Sequence, residues 1–138
     1  MSAGTGVILI GHGRYAEGMF SPLNMLAGIP ENFAGVEYPV GMSEEALEEA
    51  VLSEIGRMQN CPSILLLTDV EGGTPFKISV KIAFENERVT AATGTNLAVL
   101  LQLAVMASGE ADLARELPGV IDAARNGMKV IDVNKLRS

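Results

Sequence analysis

The sequence has little of several residue types on which common functions depend. It contains no tryptophan, and aromatic residues make up only 4% of its 138 residues, which argues against a flavin or nucleotide base stacked in a cleft. The single cysteine, Cys61, cannot form an internal disulfide, so it fits a reducing compartment and is interpreted as a small buried hydrophobe. Disulfide scaffolds and base-stacking cofactor sites are therefore disfavoured.

Positive charge and long apolar runs are also scarce. The chain has 10 lysine and arginine residues against 17 aspartate and glutamate residues, a net charge of −7. Such a chain repels nucleic acid and anionic lipid but suits a basic protein partner. No apolar run approaches the roughly 20 residues that cross a bilayer. The N-terminus lacks the basic region and cleavage site of a signal peptide. We expect a cytoplasmic protein that binds no nucleic acid.

Short apolar runs alternate with helical patterns along the chain, which is typical of βαβ units with a parallel sheet. With 48% apolar residues in 138, we expect one domain, residues 1–138. Its predicted fold class is α/β, a three-layer αβα sandwich with a flavodoxin-like, mostly parallel sheet in the order 2-1-3-4. The strands are predicted at residues 7–11, 34–38, 63–68, 88–93 and 128–133.

Helix boundaries are indicated by capping residues and prolines. Ser43 is a predicted N-cap, and Thr74 followed by Pro75 has the order of an N-cap and a first helical residue. Pro22 predicts a kink in the first helix or its division into two pieces, and Pro118 predicts a division of the last helix. The helices are predicted at residues 15–27, 44–58, 74–84, from 97 after a cap at Asn96, and 111–125.

Two of the apolar runs end in residues that carry chemistry. The run at residues 7–10 leads into Gly11-His12-Gly13, which contains the only histidine, and the run at residues 64–67 leads into Asp69. Open α/β sheets bind ligands beyond the carboxyl ends of their strands, where the strand order reverses. In the predicted order this point lies between the first and third strands. We therefore expect His12 and Asp69 within hydrogen-bonding reach.

A paired imidazole and carboxylate indicate a defined set of reactions. The carboxylate fixes the tautomer and leaves the lone pair of the other ring nitrogen pointing outward. That nitrogen can act as a nucleophile, a general base or a metal ligand. Gly72-Gly73-Thr74 leads into a helix N-terminus, which attracts anions, and the Thr74 hydroxyl can donate to a phosphoryl oxygen. The pattern favours phosphoryl transfer.

These residues also have structural interpretations. Asp69 alone could cap a loop or a helix, Gly72 and Gly73 alone mark a turn, and Thr74 first indicates a helix start. A metal site formed by His12, Asp69 and Glu71 would lack a second nitrogen or sulfur ligand, and Glu71 fits a solvated side chain. We predict no metal and no cofactor.

Three sequence elements occur in a defined order between about residues 7 and 133. They are Gly11-His12-Gly13 with Tyr15-Ala16-Glu17-Gly18, Leu67-Thr68-Asp69 with Gly72-Gly73-Thr74-Pro75-Phe76, and Thr93-Gly94-Thr95-Asn96-Leu97 with Leu100-Leu101. Together they resemble the enzyme IIA domains of the mannose family of the bacterial sugar phosphotransferase system. The third element is similar to the branch that serves N-acetylgalactosamine and related amino sugars.

This resemblance implies a phosphocarrier. His12 would accept a phosphoryl group on Nε2 from the carrier protein HPr and pass it to a histidine of the IIB component. Asp69 would hold the Nδ1 proton, and Thr74, Gly73 and Gly13 would bind the phosphoryl group. The membrane components IIC and IID would then import and phosphorylate a mannose-family or amino sugar, with this protein peripheral to the transporter. Homodimers that exchange the last strand are also implied, and residues 128–133 match that strand.

Some features depart from the family pattern, and alternatives stay open. Gly11 stands where many members carry a hydroxyl residue, Pro22 is unusual within the first helix, and the chain reaches Ser138 without a linker to IIB. We expect one missing phosphate contact, a reshaped docking surface and a separate IIA polypeptide. The alternatives are a phosphoryl relay of a dihydroxyacetone kinase system, which more often has Ser-His-Ser, and a regulatory module read out by its phosphorylation state.

Overall fold

A sheet of four parallel strands forms the centre of the structure, a computed structural model that describes residues 4–109 and 111–137. The strand order is β2-β1-β3-β4, so the predicted fold class and order are confirmed. The predicted strand positions hold to within one residue at each end for these four strands. The strands are β1 (Gly6–His12), β2 (Phe33–Tyr38), β3 (Ile64–Thr68) and β4 (Val89–Ala92).

The two central strands, β1 and β3, are buried on both faces, as their unbroken apolar runs require. Their side chains alternate between two clusters because successive residues of a strand point to opposite faces. Val7 and Leu9 of β1 join the cluster on one face, whereas Ile8 and Ile10 join the cluster on the other. The sheet is thus the middle layer of the sandwich, and its two central strands fix the positions of whatever follows them.

Helices cover both faces of the sheet. The first, fourth and fifth helices pack on the Val7 face, and the second and third pack on the Ile8 face. No helix within the described ranges is long and apolar enough to cross a bilayer. The helices are α1 (Tyr15–Leu26), α2 (Glu44–Arg57), α3 (Thr74–Glu85), α4 (Leu97–Met106), α5 (Leu113–Ala124) and α6 (Val133–Leu136), with one 3-10 turn at Arg125–Gly127.

Two of the three predicted helix caps are confirmed. The side chains of Ser43 and Asn96 each accept a backbone N–H from the first turn of α2 and α4. The N-cap of α3 is Gly73, not Thr74, which is already the first helical residue. Thr74 does not cap the helix with its side chain, and its hydroxyl donates to Glu44 of a different helix.

The two prolines do not divide their helices, so the division predicted at Pro118 is wrong, as is the division that was one of two alternatives at Pro22. Helix α1 continues through Pro22, and α5 continues through Pro118. A proline removes one intrahelical hydrogen bond and leaves the carbonyl four residues earlier without its donor. For Pro22 that carbonyl belongs to Gly18, which lies on an exposed turn where water can replace the lost donor.

The N-terminus of α1 is capped by a side chain from a different element. Arg14, which precedes the helix, makes no capping hydrogen bond with its side chain. Instead Glu37 of β2 accepts the backbone N–H groups of Ala16 at 2.8 Å and Glu17 at 3.2 Å. A carboxylate also suits the positive end of the helix dipole. This contact ties the end of β2 to the segment that directly follows His12.

The predicted last strand is wrong for the single chain. Residues 128–132 form no regular element, and α6 begins at Val133. The side chains of Met128 and Val130 are 93% and 96% exposed. A strand forms only where a neighbouring backbone completes its hydrogen bonds, and no strand of the described chain lies beside this segment.

Candidate functional site

The site lies where β1 and β3 end side by side. The two strands pair in parallel, with Ile10 opposite Thr68, so the residues that follow emerge at one edge of the sheet. His12 ends β1 and Asp69 follows β3. Nδ1 of His12 lies 2.8 Å from Oδ2 of Asp69. The contact expected from the strand order is therefore present.

Backbone groups hold the Asp69 carboxylate in place. Its Oδ2 also accepts the backbone N–H of His12 at 2.9 Å, and its Oδ1 accepts the N–H of Val70 at 2.9 Å. Partial burial raises the pKa of the Asp69 carboxyl, but the hydrogen bonds from His12 and Val70 outweigh burial and bring the pKa below its ordinary value of 3.8. The side chain is therefore a carboxylate at neutral pH.

A carboxylate can only accept hydrogen bonds, so Nδ1 of His12 carries the proton that is shared with Asp69. In the neutral ring the lone pair then lies on Nε2. The His12 side chain is 47% exposed, whereas that of Asp69 is 12% exposed. The geometry presents a basic nitrogen to an incoming group and keeps the orienting carboxylate behind it.

Gly73 leaves the space that the imidazole occupies. A Cβ atom built on Gly73 would lie 2.7 Å from Cε1 of His12, closer than real Cβ atoms approach, and 3.2 Å from Nε2. Any larger residue would displace the ring. The Tyr38 ring also contacts the imidazole, edge to face, with 5.8 Å between centroids. The ring position thus depends on Asp69, Gly73 and Tyr38 together.

The other predicted site residues are placed less directly. The N–H of Gly13 already donates to the Tyr38 carbonyl at 2.8 Å. The Thr74 hydroxyl lies at the start of α3, directly after Gly73, and donates to Oε1 of Glu44 at 3.3 Å. Binding of a phosphoryl group by Gly13, Gly73 and Thr74 stays a prediction. Glu71 is exposed, and the described residues contain no cluster of histidine, cysteine or acidic side chains that could hold a metal.

The sequence analysis missed Tyr15, which explains the departure at Gly11. A Cβ atom on Gly11 would lie 2.6 Å from Cγ of Tyr15, so a hydroxyl residue has no room there. The Tyr15 hydroxyl donates to the Thr95 carbonyl, which joins the third sequence element to the site. Burial, with a smaller contribution from Asp69, raises the pKa of Tyr15 to about 12. The only signal in the sequence was the position of Tyr15 within the first element.

A family comparison covers the whole of this site. Residues 6–117 match the family EIIA-man, described as PTS system fructose IIA component. The chain belongs to the EIIA-man family. The matched range includes His12, Asp69, Gly73 and Thr74. The predicted family is thereby confirmed.

Curated EIIA relatives support the same assignment. The PTS system mannose-specific EIIAB component of Escherichia coli is 25% identical over 125 residues, which are 90% of this chain. This chain spans only 39% of the length of that relative. The PTS system fructose-specific EIIA component of Bacillus subtilis is 28% identical over 97 residues, 70% of this chain and 66% of that protein.

Solved EIIA structures have the same fold. The phosphotransferase system component EIIA from Streptococcus agalactiae superposes with a TM-score of 0.81 at 26% identity, over 95% of this chain and 98% of that one. The mannose/sorbose specific IIA subunit from Enterococcus faecalis has a TM-score of 0.82 at 22% identity, over 94% and 96% of the two chains, and shows the fold alone.

We expect Gly73→Ala to displace the imidazole, because its new methyl group would overlap Cε1 of His12. As His12 is the only histidine, its ring nitrogens give unambiguous 15N resonances. The wild-type neutral ring should show Nδ1 protonated and Nε2 unprotonated, whereas the variant should show mixed tautomers. Gly18→Ala, where a Cβ meets nothing within 4 Å, is the matched control. An unchanged tautomer in Gly73→Ala would contradict this account of the site.

The lowered pKa of Asp69 predicts how the site contributes to stability as pH changes. Because the folded-state pKa lies below 3.8, the carboxylate stabilises the fold fully above that pH, and the contribution is lost as pH falls through the folded-state pKa. Unfolding by urea between pH 6 and pH 3 should show a smaller loss of unfolding free energy in Asp69→Asn than in the wild type. Equal pH profiles would show that the carboxylate is not held as described.

Proposed function

We propose that the protein is a phosphocarrier of a bacterial sugar phosphotransferase system, in which Nε2 of His12 takes a phosphoryl group from HPr and passes it to a IIB component. The observation that carries the proposal is the 2.8 Å hydrogen bond between Nδ1 of His12 and Asp69, which leaves Nε2 as the nucleophile. Membership of the EIIA-man family supports it.

The transfer needs no proton to leave the site. The Nε2 lone pair attacks phosphorus, the phosphorus–nitrogen bond of the donor phosphohistidine breaks, and the donor ring departs with the bonding electrons. The proton on Nδ1 of His12 stays in its hydrogen bond to Asp69. The positive charge that develops on the phosphorylated ring is stabilised by that carboxylate. In the second half of the cycle the same steps run in reverse toward IIB.

The start of α3 supplies contacts for the phosphoryl group. Gly73 lies against Nε2, and the backbone N–H groups of the first helical turn have no acceptor four residues earlier within the helix. Such a helix end favours anions. The Thr74 hydroxyl adds a donor once it turns away from Glu44. Gly13 directly follows His12 in the sequence. These are the residues that we assign to phosphoryl binding.

The surroundings of His12 suit a protein partner better than a small substrate. Two cavities in the described chain lie beside β4, and His12 lines neither of them. Val40 and Val70, which follow β2 and Asp69, are exposed. The net charge of −7 would speed encounter with a basic protein surface such as we expect on HPr. The sugar would then be bound by the membrane components IIC and IID, a mannose-family or amino sugar.

His12 should become labelled when the protein is mixed with HPr carrying radioactive phosphate, as an acid-labile and base-stable adduct. His12→Gln should carry no label. Asp69→Ala should slow transfer about 10- to 100-fold, because the ring loses its orienting partner. Asp122→Asn, at an exposed aspartate of α5, is the control. Label on His12→Gln would refute the proposal. Label that no IIB component accepts would favour the regulatory alternative.

We also propose that a second copy of the chain covers the free edge of β4 with residues 128–133. In the described chain β4 pairs only with β3. The Ser79 and Thr93 hydroxyls are buried beside this edge without a hydrogen-bond partner, and Phe84 of α3 is 92% exposed. Residues 128–133 offer four exposed apolar side chains, Met128, Val130, Ile131 and Val133. An added strand would pair with the free edge of β4 and cover the exposed apolar side chains.

Sedimentation of the intact protein should give a dimer. The double substitution Val130→Asp and Ile131→Asp should shift it toward the monomer, because it places two charges in the covered strand. Met25→Asp, at an apolar side chain of α1 that is 87% exposed, should leave the dimer intact. A monomeric wild type, or a dimer that survives the double substitution, would exclude this exchange.

A further inference from the structure

Glu44 connects the second helix to the proposed phosphoryl site. Its Oε1 accepts the Thr74 hydroxyl at 3.3 Å and lies 3.4 Å from Nζ of Lys77, one turn further along α3. The cap at Ser43 fixes the start of α2, so Glu44 is the first residue of that helix. A residue outside the motif that contains Gly73 and Thr74 therefore holds the hydroxyl of that motif.

The Thr74 hydroxyl has one proton, and in the phosphorylated protein both Glu44 and the phosphoryl group could accept it. A threonine hydroxyl donates one hydrogen bond, and in the unphosphorylated protein that bond goes to Glu44. A phosphoryl group on Nε2 of His12 would bring acceptor oxygens and a charge of about −1.5 to −2 beside Gly73. The hydroxyl cannot donate to the phosphoryl group and to Glu44 at once. One of the two acceptors must therefore lose its hydrogen bond to Thr74.

We propose that Glu44 is a positioning residue that withholds the Thr74 hydroxyl from the phosphoryl group and so limits how strongly His12 retains it. When His12 is phosphorylated, the Thr74 proton turns to a phosphoryl oxygen, and Glu44 keeps only its ion pair with Lys77. The loss of this charge-assisted hydrogen bond raises the free energy of the phosphorylated form. This inference rests on the proposed function and adds a residue that tunes it.

Glu45 provides the comparison that separates this role from a general effect of charge. It is the next residue of α2, is exposed, and shares the first turn with Glu44. Within the described part of the chain its side chain makes neither a hydrogen bond nor an ion pair. Removing either charge weakens the favourable interaction with the helix dipole to a similar extent. Only Glu44→Gln weakens the acceptor of the Thr74 hydroxyl, because it replaces a carboxylate oxygen with a neutral amide oxygen.

The test measures the equilibrium constant for phosphoryl transfer from phosphorylated HPr to the wild type, Glu44→Gln and Glu45→Gln. We expect Glu44→Gln to raise it about three- to tenfold, because a neutral amide oxygen competes less strongly than a carboxylate for the Thr74 proton. Glu45→Gln should match the wild type. In a Thr74→Val background, Glu44→Gln should have little further effect, which a merely structural role of Glu44 would not predict.

The outcomes separate this inference from the function on which it rests. A wild type that takes no phosphoryl group from HPr would refute the proposed function. Transfer to the wild type with an unchanged or lowered constant in Glu44→Gln would refute the role of Glu44 alone. An equally large effect of Glu44→Gln in the Thr74→Val background would show that Glu44 does not act through the hydroxyl.

Discussion

The hydrogen bond between His12 and Asp69 is the contact on which the site depends, and the sheet is arranged so that it forms. Because β1 and β3 are adjacent and parallel, His12 and Asp69 lie at the same edge of the sheet. The chain reaches this order by running first to one side of β1 and then to the other. In open α/β sheets such a reversal of strand order marks the edge at which ligands bind. The carboxylate then decides which imidazole nitrogen faces outward.

Much of the fold and the central pair could be predicted from the sequence, because both depend on local patterns and one topological rule. The unbroken apolar runs at residues 7–10 and 64–67 are typical of doubly buried parallel strands, and the structure has them there. Helix caps also act locally, as Ser43 does at the start of α2. The predicted strand order was then sufficient to place His12 beside Asp69, because that contact follows from topology and not from side-chain packing.

The features that the sequence did not reveal depend on contacts between distant residues. Glu37 caps α1 from β2, and the Tyr15 ring fills the space that makes glycine necessary at position 11. Neither has a local signature, since each pair is defined only after the sheet has formed. The strand prediction for residues 128–133 was wrong for the opposite reason. Its pattern is that of a strand, but a pattern cannot supply the neighbouring backbone that a strand needs.

The imidazole and the Thr74 hydroxyl differ in how they are held within the site. The imidazole is fixed by strand ends and by Gly73, so the proposed nucleophile is already oriented in the structure. The Thr74 hydroxyl is instead bound to Glu44, on another helix, and is available only after a rearrangement. A phosphocarrier has to accept a group and also release it, so contacts that all favoured the bound phosphoryl group would trap it. A fixed nitrogen beside a hydroxyl that also binds Glu44 would satisfy both requirements.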